Sequence, residues 1–460
     1  MSKGKMLTKQ KKKCIMDSVR MIRTRKTHFM TGETERLMDF IIKGDFAYCK
    51  NQTELIAEKD AFLICINGRS EGIFREIPEK YKDLELYDYS GKLIIPGMTD
   101  LHIHAPQYAF RGMHMDEELL EWLNRYTFVE EGKYADEEYA RLAYGIFAEE
   151  MRKSATTRAS VFATVHRRAT VILMDEMERS GLVSYIGKIN MDRNAPETIL
   201  DESADMSAYN TFGWINETAG KYGRTMPILT PRFIPSCSNE LLGELKEIVH
   251  TYDIPIQSHL SENPGEVSWV KELMPDSEFY GDGYARFDLF GKHTRTIMAH
   301  CIYSPEKEIE LMKENGVYVA HCPSSNMNLC SGIAPIRKYL DRGIRVGLGS
   351  DVAAGESESI FTEIKKAIEV SKLYQRYIDA SAKPLTFPEA FWLATLSGAS
   401  FFGKAGSFAK DYEFDAVVLD DEKEAHPQPL EIPERLERSI YLGTDRDRIL
   451  AKFVRGTKIL

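Results

Sequence analysis

The sequence lacks the marks of several broad protein classes. Its seven cysteines are an odd number and contain no CxxC pair. That excludes a disulfide framework and reads as reduced thiols in a cytosolic protein. No apolar run approaches the length of a bilayer, so no membrane span is expected. No charged, apolar and cleavage regions follow one another at the start, so no secretory signal is expected either. There is no low-complexity block and no repeat of constant period. Excess basic charge is also missing: the net charge is −10. That balance argues against a nucleic-acid partner held by a basic surface.

What is present fits a large folded chain. The 460 residues are 43% hydrophobic and 28% charged, enough for a sizeable core and for one large α/β barrel with a minor domain. Charge is unevenly spread. Of 60 basic and 70 acidic residues, ten basic and one acidic fall in residues 1–26, leaving 50 against 69 elsewhere. The basic segment reads as a solvated extension, Lys-rich rather than patterned like a transit peptide. Cys237, Cys301, Cys322 and Cys330 stand in apolar or strand-end contexts and are expected to be buried thiols.

Both ends of the remaining chain read as β-rich. MDFIIKGDFAYC, AFLICINGRSEGIF and LELYDYSGKLIIPG form a meander with Gly and Asn at the turns. YEFDAVVLDD, RSIYLGT and ILAKFVRGTKIL are expected to behave similarly. The middle alternates apolar strands with amphipathic helices. Strand candidates are 93–104, 156–166, 182–190, 227–233, 254–262, 296–302, 317–325 and 344–351. Such strands with helical crossovers imply a parallel sheet covered on both faces. The count is that of a (β/α)8 barrel, with a doubly wound open sheet as the competing arrangement.

Polar residues cluster at the ends of these strands. The first ends on His102-Ile103-His104, the fourth on Arg232-Phe233, the sixth on His300, and the eighth on Asp351; the fifth carries His259 and then Glu262. In a barrel all these ends meet at one mouth, where active sites form. His-x-His on a strand sends both imidazoles to one side, within reach of one metal ion. His259 and Asp351 complete a set of three imidazoles and a carboxylate, which suits Zn²⁺, with Fe²⁺ as the alternative. Water on such an ion ionises near neutral pH and needs a proton shuttle. Glu262 is the candidate, with His300 and Asp351 orienting the same water. His321 either lines the site or is structural, and His166 reads as a core or supporting histidine. His28, His114, His250, His293 and His426 belong to no constellation.

The stretch PGMTDLHIHAPQYAFRG (96–112) resembles the first-strand signature of the amidohydrolase superfamily. HAPQY followed by LLEWLNRYTF (119–128), with TPRFIPSCS (230–238) and QSHLSENPGEV (257–267), is similar to its guanine deaminase subfamily. So are MAHCIY (298–303), AHCPSSN (320–326), GLGSDVAAG (347–355) and the blocks at 401–408, 412–420 and 434–443. The resemblance implies an α/β (β/α)8 TIM barrel over 96–408. It also implies a small β-sandwich domain built from both chain ends, 38–95 and 409–460. The basic extension over 1–37 is unusual for that family.

The same resemblance implies one metal on His102, His104, His259 and Asp351, with Glu262 as shuttle and His300 beside the water. Gln107, Arg232 and Phe233 are implied as purine contacts, in a cytoplasmic homodimer. No lysine is expected at the strand ends, in keeping with a single ion. Ala155 stands where glycine is expected, and the loop ESESIF after Gly355 is unusually acidic. Chemically, Arg232 is a permanent donor suited to O6 of guanine and unsuited to the amino group of adenine. Phe233 and Trp122 are candidate walls for a planar base. The expected reaction is hydrolysis of guanine to xanthine and ammonia. Deamination of a triazine, cytosine or adenosine derivative is the rival, and a non-catalytic scaffold the rival from another class.

Overall fold

The computed structural model describes residues 38–422, 425–443 and 445–460. The basic segment and His28 lie outside the described residues. The chain opens with β1 (Phe40–Cys49), β2 (Leu55–Ile66), β3 (Arg69–Phe74) and β4 (Glu85–Pro96). The β2–β3 hairpin turns on Asn67-Gly68, both at positive φ (50° and 70°). Such a pair matches the twist of the flanking strands.

The strand expected over 93–104 is in fact two. Residues up to Pro96 belong to β4, and β5 (Met98–His104) begins a different sheet. Gly97 makes the crossing possible, because a Cβ there would lie 2.1 Å from the Thr157 hydroxyl oxygen.

β5 is followed by β6 (Thr156–Phe162), β7 (Val183–Gly187), β8 (Ile189–Asn190), β9 (Thr225–Pro227) and β10 (Thr230–Pro231). Then come β11 (Ile256–Leu260), β12 (Thr296–His300), β13 (Tyr318–His321) and β14 (Arg345–Leu348). All pairings among them are parallel. They form the four-stranded sheets β5-β6-β7-β9 and β11-β12-β13-β14, with the β8–β10 ladder beside them. A bridge from Leu229 to Ile256 carries the bonding onto β11. The segment after β14 returns to β5, where Asp351 N donates to His102 O at 2.8 Å.

Every residue of β5 and β6 is buried, as expected of parallel strands covered on both faces. Leu101, Ile228, Ile297, Ala299, Tyr318 and Ala320 pack together on one side of these strands. Met298 and Val319 join the cluster under the helices instead, the period-two alternation of a strand. Helices fill the connections and are capped by their own sequence. Asp136 accepts from Glu138 N and Tyr139 N at the start of Glu137–Lys153, and Ser238 accepts from Leu241 N at the start of Asn239–Tyr252.

The chain ends with β15 (Ala416–Leu419), β16 (Ile449–Val454) and β17 (Thr457–Lys458). These join the first four strands in one seven-stranded sheet, β17-β16-β15-β4-β1-β2-β3. Phe40, Phe46, Phe408, Phe414 and Phe453 fill its own small core. The stretch containing RSIYLG, expected as strand, is the helix Ile432–Leu442. Ile432, Leu436, Ser439 and Ile440 are its buried residues, and the mixed spacing of three and four puts them on one face of a helix. Pro433 and a Glu431/Glu434 capping box fix its start.

One buried ion pair ties the two sheets together. Arg158 on β6 donates from Nε to Asp415 at 2.6 Å and from Nη2 to Glu413 at 2.8 Å. Arg158 and Asp415 are both almost fully buried. Removing one partner of such a pair typically costs about 3–5 kcal/mol, because the other charge stays buried alone. Arg158→Met is therefore expected to lower the urea midpoint, with a loss of unfolding free energy in that range. An unchanged midpoint would show that the pair contributes nothing net.

Candidate metal and base-binding site

The ends of β5, β11, β12 and β14 converge on one cavity of about 400 Å³, counting the solvent space at its opening. His104, His259, Glu262, His300 and Asp351 line it together with Gln107, Arg232, Phe233 and Trp122. His102 lies directly beneath. Its Nε2 is 3.1 Å from Asp351 Oδ1, and His104 Nε2 is 3.5 Å from the same oxygen. His104 Nε2 and His259 Nε2 are 3.2 Å apart. His300 Nε2 stands 3.8 Å from Asp351 Oδ2 and 3.5 Å from Glu262 Oε2. His102, His104 and Asp351 form one group whose ligand atoms lie within 4.8 Å of each other, and His102, His259 and His300 form another.

Local backbone aims these side chains. His300 (φ 71°) and Asp351 (φ 48°) are both left-handed, as is Ser261 (φ 49°) just before Glu262. That region is unfavourable for residues with a Cβ, and it ends the strands sharply. Glu262 is fixed by the helix that follows. Asn263 caps Pro264–Leu273 in a capping box whose acid is Glu266. The Glu266 carboxylate also accepts from Glu262 N at 2.9 Å and from Tyr280 OH at 2.7 Å.

Hydrogen bonds select which ring nitrogens face the cavity. His259 Nδ1 lies 2.6 Å from Arg232 O. A carbonyl can only accept, so Nδ1 carries the proton and the neutral ring presents a lone pair at Nε2. His300 Nδ1 is 2.8 Å from Asn326 Oδ1, which leaves its Nε2 free in the same way. His102 Nε2 and His300 Nε2 are buried with no hydrogen-bond partner. Orphaned nitrogens beside a carboxylate are what a bound cation satisfies. Three imidazoles and one carboxylate are a donor set that fits zinc or ferrous iron.

Electrostatics separate the acids. Burial lowers the pKa values of His102, His104 and His259, so these rings are neutral and able to bind metal. Burial pushes the Glu262 carboxyl up to about 8, and the Asp351 charge adds to the effect, with a Ser331 hydrogen bond opposing both. Burial alone would raise Asp351 as well, but His102, His300 and His104 around it hold it below the usual carboxylate range.

Behind the cavity wall stands a residue that the sequence reading missed. Arg232 pairs with Glu131 through both terminal nitrogens, at 2.5 and 3.0 Å. The two side chains are only 3% and 2% exposed. Gln107 Nε2 donates to the same carboxylate at 3.0 Å. Glu131 sits on the helix Phe128–Gly132, 101 residues from Arg232. The available signal was its spacing of three from the buried Phe128, over which the Arg232 guanidinium lies at 5.2 Å. Lys188 was also missed. It is a buried lysine directly after β7, contrary to the expectation of none at the strand ends. Its ammonium is held by Ile189 O at 2.9 Å and Asp201 at 3.3 Å.

The other histidines stand apart. His321 is buried beside a separate cavity with Ala334 and Arg337, under the helices. His166 is half-buried near Lys188, and His114 stacks on Tyr126. His250, His293 and Asp288 form a surface group, but the Lys246 ammonium already lies 2.8 Å from that carboxylate. Cys330 is exposed, contrary to expectation, while Cys237, Cys301 and Cys322 are buried. Ala155 fits in full burial with its N–H on Asp445. In the acidic loop, Glu358 pairs with Arg111 at 3.2 Å.

Comparison with known proteins places these features in context. The amidohydrolase family is matched over residues 93–458. A guanine deaminase of Dictyostelium discoideum is 36% identical over 411 residues, covering 87% of this chain and 88% of that protein. The guanine deaminase of Escherichia coli is 34% identical over 82% of this chain and 85% of its own. A crystal structure of the C. acetobutylicum guanine deaminase with guanine in its active site superposes with a TM-score of 0.89. It is 44% identical and covers 92% of this chain and all of that one.

The arrangement predicts one divalent cation per chain. His104→Ala is expected to abolish it, and His250→Ala to leave it unchanged. Elemental analysis of the folded variants checks this, and an undiminished metal content in His104→Ala would count against the site.

Proposed function

The chain belongs to the amidohydrolase family, and from that premise we propose that it hydrolyses guanine to xanthine and ammonia. The observation that carries this reading is the meeting, in one cavity, of the histidine–aspartate cluster with Glu262 on one side and Arg232 with Gln107 on the other. We read the parallel strands as a closed (β/α)8 barrel over 96–408. The seven-stranded sheet, from 38–95 and 409–460, is the small β-sandwich domain. The bond from Asp351 N to His102 O supports closure. A cytoplasmic homodimer is part of the same proposal, supported by family resemblance and by the free cysteines.

His102, His104, His259 and Asp351 would hold one zinc or ferrous ion. When bound, such a cation acidifies water so that hydroxide is available near neutral pH. Arg232 and Gln107 bind the base through donors directed at O6, which accepts. Phe233 supplies an apolar edge. Glu262 takes a proton from the attacking water and delivers it to N3, which makes C2 electrophilic. The water oxygen adds to C2, with the free Nε2 of His300 placed to accept a hydrogen bond from that water. The second water proton passes through Glu262 to the 2-amino nitrogen. The C2–N bond then breaks, and ammonia leaves xanthine behind.

The test is ammonia release from guanine, adenine, guanosine and cytosine by the metal-replete protein. Guanine is expected to dominate, and a preference for adenine or a nucleoside would overturn the reading. General acid–base assistance is worth ~10²–10⁴-fold, so Glu262→Gln is expected to lose at least ~10²-fold in kcat with metal still bound. Near-normal turnover by that variant would remove Glu262 from the shuttle role.

A further inference from the structure

Glu131 is outside the lining of the cavity, yet both polar groups on the base-facing wall are fixed to it. Its Oε1 accepts from Arg232 Nη2 and from Gln107 Nε2, each at 3.0 Å, and its Oε2 accepts from Arg232 Nη1 at 2.5 Å. The other end of the Gln107 amide is fixed too, because Oε1 accepts from Ala353 N at 3.2 Å. Flipping that amide would set an oxygen against a carboxylate and an NH₂ against a backbone N–H. Both contacts are repulsive, and the site is buried.

We propose that Glu131 is a positioning residue that sets the enzyme's choice of base at C6. The proposal rests on the guanine reading above. With one anion behind the wall, Gln107 cannot turn its oxygen outward and Arg232 cannot turn away. What the two residues have left for the cavity is the N–H groups that Glu131 does not use. A wall of donors accepts a 6-oxo group and leaves a 6-amino group facing other N–H bonds. A site whose buried polar groups go unpaired with the wrong ligand discriminates strongly. Glu131 also cancels the Arg232 charge, so a neutral base meets no uncompensated cation in the cavity.

A plain counter-ion and a polarity-setting residue predict different results. Guanine and 2,6-diaminopurine share the 2-amino leaving group and differ at C6, oxo against amino. The experiment measures kcat/KM for both bases, with products identified, on metal-replete wild type, Glu131→Gln and Glu131→Asp. In Glu131→Gln the new amide can donate to Gln107, which frees that side chain to flip. In Glu131→Asp the charge stays but the shorter arm cannot reach both partners. The preference for guanine is expected to fall by about tenfold or more in each variant, mainly through KM for guanine. If the glutamine variant does not fold, the aspartate variant decides. Equal loss on both bases, with the preference unchanged, overturns the proposal and leaves Glu131 as a structural counter-ion. A wild-type protein that releases no ammonia from guanine fails earlier and sinks the function reading instead.

Discussion

Three buried, neutral imidazoles and an ionised carboxylate meet at the bottom of one cup. That crowding of lone pairs is the constraint on which the rest of the structure depends. Burial holds the rings unprotonated, so protons are an expensive way to fill the gap. A cation would satisfy all four groups at once, and its attraction for the Asp351 carboxylate would be strong where solvent screening is weak. Bringing the four together takes strands that are far apart in sequence. β5, β11 and β14 must end at the same height, and Gly97 and the left-handed residues at the strand ends are the local adjustments that permit it.

Residue 232 couples the floor of the cup to its wall. Its carbonyl fixes the proton of His259 on Nδ1, which turns the other nitrogen toward the metal position. Its side chain runs the opposite way, onto Glu131 and over Phe128. A shift of this short segment would disturb the proposed metal ligation and the proposed base recognition together. The bonds from Ser258 Oγ to Pro231 O at 2.6 Å and to Arg232 O at 3.1 Å tie the segment to β11, so the ligand and the reader are held by the same few hydrogen bonds.

Much of this was legible in the sequence, for a physical reason. Residues that bind a metal from a strand end carry their own pattern, a histidine or aspartate closing an apolar run, and His102, His104, His259, His300 and Asp351 all show it. Glu262 followed from its place three residues beyond His259. Glu131 was opaque because its role exists only across a gap of about a hundred residues, and its neighbour Glu130, bonded to Lys133 and Tyr139, looks identical in the text. Lys188 was opaque because a lysine after an apolar run is usually exposed, and here Asp201 keeps it inside. The helix Ile432–Leu442 was misread because its β-branched and aromatic residues favour strands locally, while its four-residue apolar spacing and capping box decide the outcome.

The division of labour between the two acids follows from their surroundings rather than their type. Asp351 is ringed by imidazoles, which stabilise its charge, and it behaves as a permanent anion. Glu262 sees burial, a like charge from Asp351 and one hydroxyl from Ser331, so it gives up a proton reluctantly and holds one readily. Environments that push two neighbouring carboxyls apart in pKa assign one to fixed charge and the other to proton traffic. Glu266 extends the same logic one layer outward. Burial and the nearby Glu262 raise its carboxyl to about 7, and its bonds to Glu262 N and Tyr280 OH fix the backbone from which Glu262 projects. Glu262 is thus carried on a rigid mount while its own carboxyl has one hydroxyl as partner, an arrangement that suits the proposed role of taking and returning a proton within a single turnover.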